Sequence, residues 1–107
     1  MKRIFVTAAV AAALCIPAAY GHAKGKGESG KALFNKNCAS CHANGGNVVN
    51  PKFGLHKKDR EAHGVKTAKD IIGKMRNPGP GMPKFDKSAI PDRDAKKIAD
   101  YIIKTFK

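Results

Sequence analysis

The sequence predicts an all-α protein with long loops. Apolar residues recur at helical spacing in the last third of the chain, as Ile71, Ile72 and Met75 and then as Ala95, Ile98, Tyr101 and Ile102. Hydroxyl and carboxylate residues stand where those segments would begin. No stretch alternates apolar and polar residues with the period of two that a strand requires. A chain of 107 residues, 42% of them hydrophobic, suits one small domain once any leader is set aside.

A leader is expected at the start. Lys2 and Arg3 are basic, Ile4 to Ala19 is apolar except for Thr7, and Gly21-His22-Ala23 places small residues where a signal peptidase reads. Residues 1–23 are therefore expected to be a cleaved signal peptide and residues 24–107 the mature domain. A run of sixteen residues containing Thr7 and Pro17 falls short of the roughly 20 that span a bilayer. Cys15 follows Leu14, where a lipid-anchored cysteine wants a small neighbour, so it is expected to leave with the leader.

From Lys24 to Gly27 the chain is a soluble lead-in without apolar periodicity. Glu28 or Ser29 can start a first helix, which Ala32, Leu33 and Phe34 carry to Cys38 with no proline or glycine after Gly30. Ala43 to Leu55, rich in Asn and Gly, reads as irregular chain with turns, and Leu55 to His63 as one short charged helix. Thr67 followed three residues later by Asp70 is a capping-box pattern ahead of Ile71, Ile72 and Met75. That helix must stop at Asn77, because Pro78, Gly79, Pro80, Gly81 and Pro83 cannot propagate it. Asp92 is expected to cap the last helix, with Lys96, Lys97 and Lys104 off its apolar face.

The 84 residues left after cleavage are few for a self-sufficient apolar core, so a staple, metal or cofactor is expected to fill the middle. Cys38 and Cys41 are too close together for a disulfide to close a useful loop. Charge is the other departure: 21 Lys and Arg against 8 Asp and Glu give +13, or +11 without Lys2 and Arg3. Such a balance points to anionic partners, and export argues against nucleic acid among them.

Cys38-Ala39-Ser40-Cys41-His42 is the C-x-x-C-H signature of covalent haem attachment. On a helical turn, residues i, i+3 and i+4 share a face, so two thiols can reach the haem vinyl groups while the imidazole sits over the iron. A thioredoxin-like C-x-x-C would need strands, which are missing. A zinc site would need His56 and His63, six residues apart where roughly three to five is usual.

The second axial position decides what such a haem does: a methionine or histidine makes a carrier, an open site a haem that binds ligands. Met75 is in phase with Ile71 and Ile72 and reads as core. Met82 sits in the Pro/Gly loop, forty residues after His42, with no helix to direct it into an ordinary core. It is the preferred sixth ligand. The alternatives are His56 or His63, which otherwise read as surface residues, and an open position belonging to a haem enzyme or gas-binding sensor. A carbonyl within Asn47 to Pro51 is expected to orient the His42 ring. Phe34, Leu55, Ile71, Met75, Phe85, Ile98 and Tyr101 are the candidate apolar walls.

The chain resembles a class I c-type cytochrome, and within it the small monohaem cytochrome c6 and c-553 group. Gly30, Phe34 and Cys38 at four-residue steps are similar to the family's opening helix, where the glycine admits a close crossing by the last helix. Ile98-Ala99-Asp100-Tyr101-Ile102 is similar to the closing segment, Cys41 to Val49 to the c6 stretch after the haem motif, and Met82-Pro83-Lys84-Phe85 to the Met-Pro-x-Phe ligand loop.

The resemblance implies three to four helices wrapped round one covalently bound haem c, thioethers at Cys38 and Cys41, and His42 and Met82 as axial ligands. It implies one-electron transfer as the activity rather than enzymatic chemistry; with the leader, the expectation is a periplasmic carrier, taken to be a monomer. The expected partners are redox proteins with acidic docking surfaces, with peripheral contact to membrane complexes and none to nucleic acid. The Pro78-Gly79-Pro80-Gly81 run and the basic balance differ from the photosynthetic members, which favours a respiratory or metal-reducing chain.

Overall fold

The computed structural model describes residues 27–107. The expected leader, residues 1–23 with Cys15, lies outside them. Five α-helices occur among the described residues, with no strand: α1 Gly30–Asn37, α2 Ala39–His42, α3 Lys57–Ala62, α4 Ala68–Arg76 and α5 Asp92–Thr105. No helix among these residues is long and apolar enough to cross a membrane.

Ser29 caps α1, its hydroxyl accepting from the Ala32 N–H at 3.1 Å. The helix buries Leu33 and Phe34. At Cys38 the backbone leaves helical geometry and restarts as the single turn α2, so the first helix does run into the C-x-x-C-H segment, with a break. The long C-terminal helix α5 packs on both α1 and α4. The crossing with α1 is close at Gly30, where a Cβ would collide with the Lys97 carbonyl and lie 3.0 Å from Tyr101 Cβ. Only glycine lets the two backbones approach so far.

Phe34, Tyr101 and Phe106 close that contact, with ring centroids 5.3 Å apart for Phe34 and Tyr101 and 5.4 Å for Phe34 and Phe106. Burial of a side chain such as Phe34, 2% exposed, contributes roughly 1.5–3 kcal/mol. Ile71 and Met75 of α4 and Ile98 and Ile102 of α5 continue the core.

The capping box at α4 forms as expected: Asp70 N–H donates to Thr67 Oγ1, and the Asp70 carboxylate accepts from the backbone of Thr67 and Lys66 at 3.0 Å. Those bonds, the Thr67 N–H foremost, hold the Asp70 carboxyl below its ordinary range. Helix α4 ends at Arg76 and Asn77, as the prolines require.

Asp92 does not cap α5. Pro91 takes that position, no side chain bonds the helix start, and Asp92 is its first residue. Its carboxylate is drawn away by two cations, Arg76 Nη2 at 2.8 Å and Lys87 Nζ at 3.3 Å. The hydrogen bond from Arg76 is the main reason its pKa is lowered. Arg76 Nη1 also donates to the carbonyls of Phe85 and Ile90, so this one side chain ties α4 to both ends of the segment that leads into α5.

Candidate haem site

A cavity of about 430 Å³ opens between α2, the Asn47–Leu55 segment, α4 and the Pro/Gly loop. Cys38, Cys41, His42 and Met82 all line it. The four residues singled out in the sequence are thus brought to one space, although Met82 arrives from far along the chain. His63 borders the cavity too, while His56 does not.

Cys38 and Cys41 are free thiols, unpaired with each other. Burial pushes the Cys38 thiol up to about 11, because an apolar environment penalises the thiolate. His42 is buried at the end of α2. Its Nδ1–H donates to the Gly46 carbonyl at 2.7 Å, which fixes the ring and leaves Nε2 as the nitrogen available to a ligand.

The acceptor therefore lies one residue before the expected Asn47 to Pro51 stretch. The reason is a left-handed pair, Asn44 (φ 55°) and Gly45 (φ 77°), which reverses the chain directly after the motif. A Cβ on Gly45 would come within 2.6 Å of Phe106 and 2.9 Å of His56 Nε2, so the turn is also packed from outside. Asn47 has other work: its side chain donates to Phe53 O and accepts from the N–H groups of Val49 and Asn50. These bonds hold the segment that forms one lip of the cavity.

The opposite lip is the Pro/Gly loop. Phe85 N–H donates to the Met75 carbonyl at 2.8 Å, anchoring Met82-Pro83-Lys84-Phe85 to the end of α4. Asp86 closes the far side of the loop by accepting from Ser88 and Ala89. Met82 is half-buried there, whereas Met75 is 3% exposed and belongs to the core as well as to the cavity floor.

Of the expected walls, Leu55, Ile71, Met75 and Phe85 line the cavity. Phe34, Ile98 and Tyr101 do not: Phe34 and Tyr101 meet at the crossing of α1 and α5, and Ile98 is enclosed in the core one turn before the residue of α5 that reaches the cavity. Val65 and Ile102 stand there instead.

His56 and His63 are exposed, as the sequence suggested, and both are tied down. His56 Nε2 donates to Asn44 O at 3.1 Å, and His63 Nδ1 to Asp59 O at 2.9 Å with its ring centroid 4.1 Å from that of Phe53, tilted by 31°. No group of three His, Cys, Asp or Glu among the described residues is placed to hold a lone metal ion. One contributor went unnoticed in the sequence: Arg60 is buried, on the wall of the cavity.

These residues fit a covalently held haem. Two thiols stand a helical turn apart beside an imidazole with one free nitrogen, and the volume, apolar floor and thioether suit a large flat apolar ring.

Comparison with known proteins agrees. The family described as cytochrome c oxidase, cbb3-type, subunit III matches residues 25–102. The cytochrome c6 of Cyanidium caldarium is 36% identical over 76 residues, covering 71% of this chain and 68% of that protein. Among solved structures, OmcF, outer membrane cytochrome F from Geobacter sulfurreducens, superposes with a TM-score of 0.72 at 46% identity, covering 74% of this chain and all of the other. Cytochrome c6A of Arabidopsis thaliana gives 0.61 at 30% identity, covering 68% of this chain and 82% of that one. With an all-α wrap, a C-x-x-C-H turn and likeness running along almost the whole described chain, the protein belongs to the class I c-type cytochromes, small electron carriers with one covalently bound haem.

Proposed function

We propose that the protein is an exported single-haem electron carrier, with thioethers at Cys38 and Cys41, His42 and Met82 as axial ligands, and a place in a respiratory or metal-reducing chain. The observation that carries this is the convergence of Cys38, Cys41, His42 and Met82 on one cavity, with His42 Nδ1 already committed to Gly46. When bound, the haem supplies a one-electron couple between ferric and ferrous iron. The chain's own residues set its conditions. Gly46 keeps the His42 ring from turning, Met82 offers a neutral sulfur that favours ferrous iron, and Leu55, Ile71, Met75 and Phe85 exclude water.

Export is supported by the leader pattern in residues 1–23, and a non-photosynthetic role by the Pro78–Gly81 run and by 46% identity to an outer membrane cytochrome. Intact mass spectrometry of the protein purified from its own cells tests the proposal. The expected mass is that of residues 24–107 plus one haem. A mass without haem overturns the site, and retention of residues 1–23 overturns the export.

An acidic partner completes the proposal. Lys52, Lys57 and Lys58 follow the haem motif in the chain, Lys84 and Lys87 follow Met82, and all five are exposed, as are Val48, Val49 and Phe53. A one-signed field of this kind steers encounters over a Debye length of about 10 Å at 0.1 M salt and raises rates by roughly 10- to 1,000-fold. The second-order rate of oxidation by an anionic reagent such as ferricyanide should fall steeply with ionic strength. The Lys84→Glu, Lys87→Glu double variant should flatten that slope, and a wild-type rate indifferent to salt would remove the steering role.

A further inference from the structure

We infer that Arg76 is a positioning residue for the proposed iron ligand Met82: from the end of α4 it grips the far end of the loop that carries the sulfur. The inference rests on the proposed ligation by Met82 and names the group that keeps that ligand in place.

Met82 is delivered by a loop with few attachments. Residues 78–84 make no hydrogen bond to any other described residue. A Cβ added at Gly79 would meet nothing within 4 Å, and the close brace at Gly81 is apolar, where a Cβ would come 2.9 Å from Val49 Cγ1. Hydrogen bonds resume at the two ends. Asn77 N–H donates to the Gly73 carbonyl at 2.9 Å and Phe85 N–H to that of Met75 at 2.8 Å, so both ends return to the last turns of α4. Three residues of chain, at most about 10 Å, join Met82 to Phe85, so the place of Phe85 limits where the sulfur can go.

Phe85 is gripped a second time, and that grip is charged. Arg76 Nη1 donates to Phe85 O at 3.0 Å and to Ile90 O at 2.8 Å, while Nη2 donates to Asp92 Oδ1 at 2.8 Å. Ile90 is 1% exposed and Asp92 opens α5, so both are fixed points of the fold. One planar fork thus joins the end of the loop to residues that cannot follow it outward. Arg76 does not itself line the cavity, so it acts on Met82 through Phe85. Without it Phe85 keeps only its N–H bond, and the loop lifts with Met82 at a smaller cost.

The test uses the haem-bearing protein after its sulfur-to-iron band has been shown to vanish in Met82→Ala. A band that survives that variant overturns the ligand reading and this inference together. Once it vanishes, only the role of Arg76 is at stake. Carbon monoxide reaches reduced iron while Met82 is off it, so its binding rate follows the population of the lifted loop. Arg76→Gln is expected to raise that rate roughly tenfold, the scale on which losing a hydrogen bond to a charged group shifts an equilibrium. The Phe85 amide should exchange faster relative to those of Ile98 and Ile102.

Ile98→Val is the control: it loosens the core without touching loop or cavity and is expected to leave the rate as in wild type. Asp92→Asn, at an exposed position, frees Nη2 but keeps both carbonyl bonds, and should raise the rate about threefold, the scale of an exposed ion pair. Lys87→Gln removes the other cation on Asp92 and should leave the rate unchanged. An Arg76→Gln protein that binds carbon monoxide at the wild-type rate would overturn the proposal, as would an equal gain in Ile98→Val. If Arg76→Gln does not fold, Asp92→Asn decides, and a rate no higher than that of Lys87→Gln is the overturning result.

Discussion

The Cys38→Ala, Cys41→Ala variant, made without attached haem, should fail to hold the native fold. The cavity between α2, α4 and the Pro/Gly loop is about 430 Å³, and at ~24 cal/mol per Å³ its loss of filling corresponds to an upper limit near 10 kcal/mol. Against this, 81 described residues at 0.05–0.15 kcal/mol each amount to about 4–12 kcal/mol of total stability. The upper limit is as large as the whole margin by which a chain of this size folds, so a cavity left unfilled is expected to unsettle the fold.

Collapse of the lips would recover part of the loss. It would do so by abandoning the geometry that Asn47 and Phe85 hold. Far-UV circular dichroism of the variant should retain some helix, since α5 is long, while near-UV signals and amide dispersion disappear. A haem-free variant with dispersed amides and a cooperative melt would show that the α1, α4 and α5 core stands without the ring.

How much of this was open to a reader of the sequence follows the range of each interaction. The C-x-x-C-H turn and the Thr67 to Asp70 box are set by neighbours within four residues, and both took the form expected. Asp92 satisfied the local rule for a cap equally well. Yet Arg76, sixteen residues away, and Lys87 offered its carboxylate charge-assisted bonds that outbid the helix N–H groups.

The His42 acceptor was misplaced by one residue because the tightness of the turn depends on two successive positive φ angles, which Asn-Gly permits but does not demand. Period marked Phe34, Ile98 and Tyr101 as buried, but only the crossing of α5 over α1 decides against what. Arg60 was hidden for the opposite reason. In a run of charged residues a guanidinium reads as solvated surface, and it is the return of the chain from Leu55 to Val65 that closes over it.

Replacing Met82 by alanine should change the chemistry of the site while leaving the fold. Met82 is half-buried on a loop anchored independently through Phe85 N–H and Asp86, so truncating it removes the proposed ligand without removing a core side chain. Thioether ligation favours ferrous iron, and axial ligands as a class command about 0.8 V of potential. A fall on the order of 0.2 V is expected; at ~59 mV per tenfold for one electron, that is about three powers of ten in the ferric to ferrous ratio.

The weak sulfur-to-iron charge-transfer band of the oxidised protein should vanish, and the reduced variant should bind carbon monoxide where the wild type binds it poorly. Met75→Ala is the control. That side chain is 3% exposed against Ile71 and the rest of the core, so its loss should cost about 2–5 kcal/mol of stability while the band persists and the potential moves far less than in Met82→Ala. If Met82→Ala kept the band and Met75→Ala lost it, the ligand would come from α4. If both kept it, sulfur at either position would be excluded as its source. A wild type that bound carbon monoxide as readily as the Met82 variant would instead mark an open iron site, and the chain would be a ligand-binding haem protein rather than a carrier.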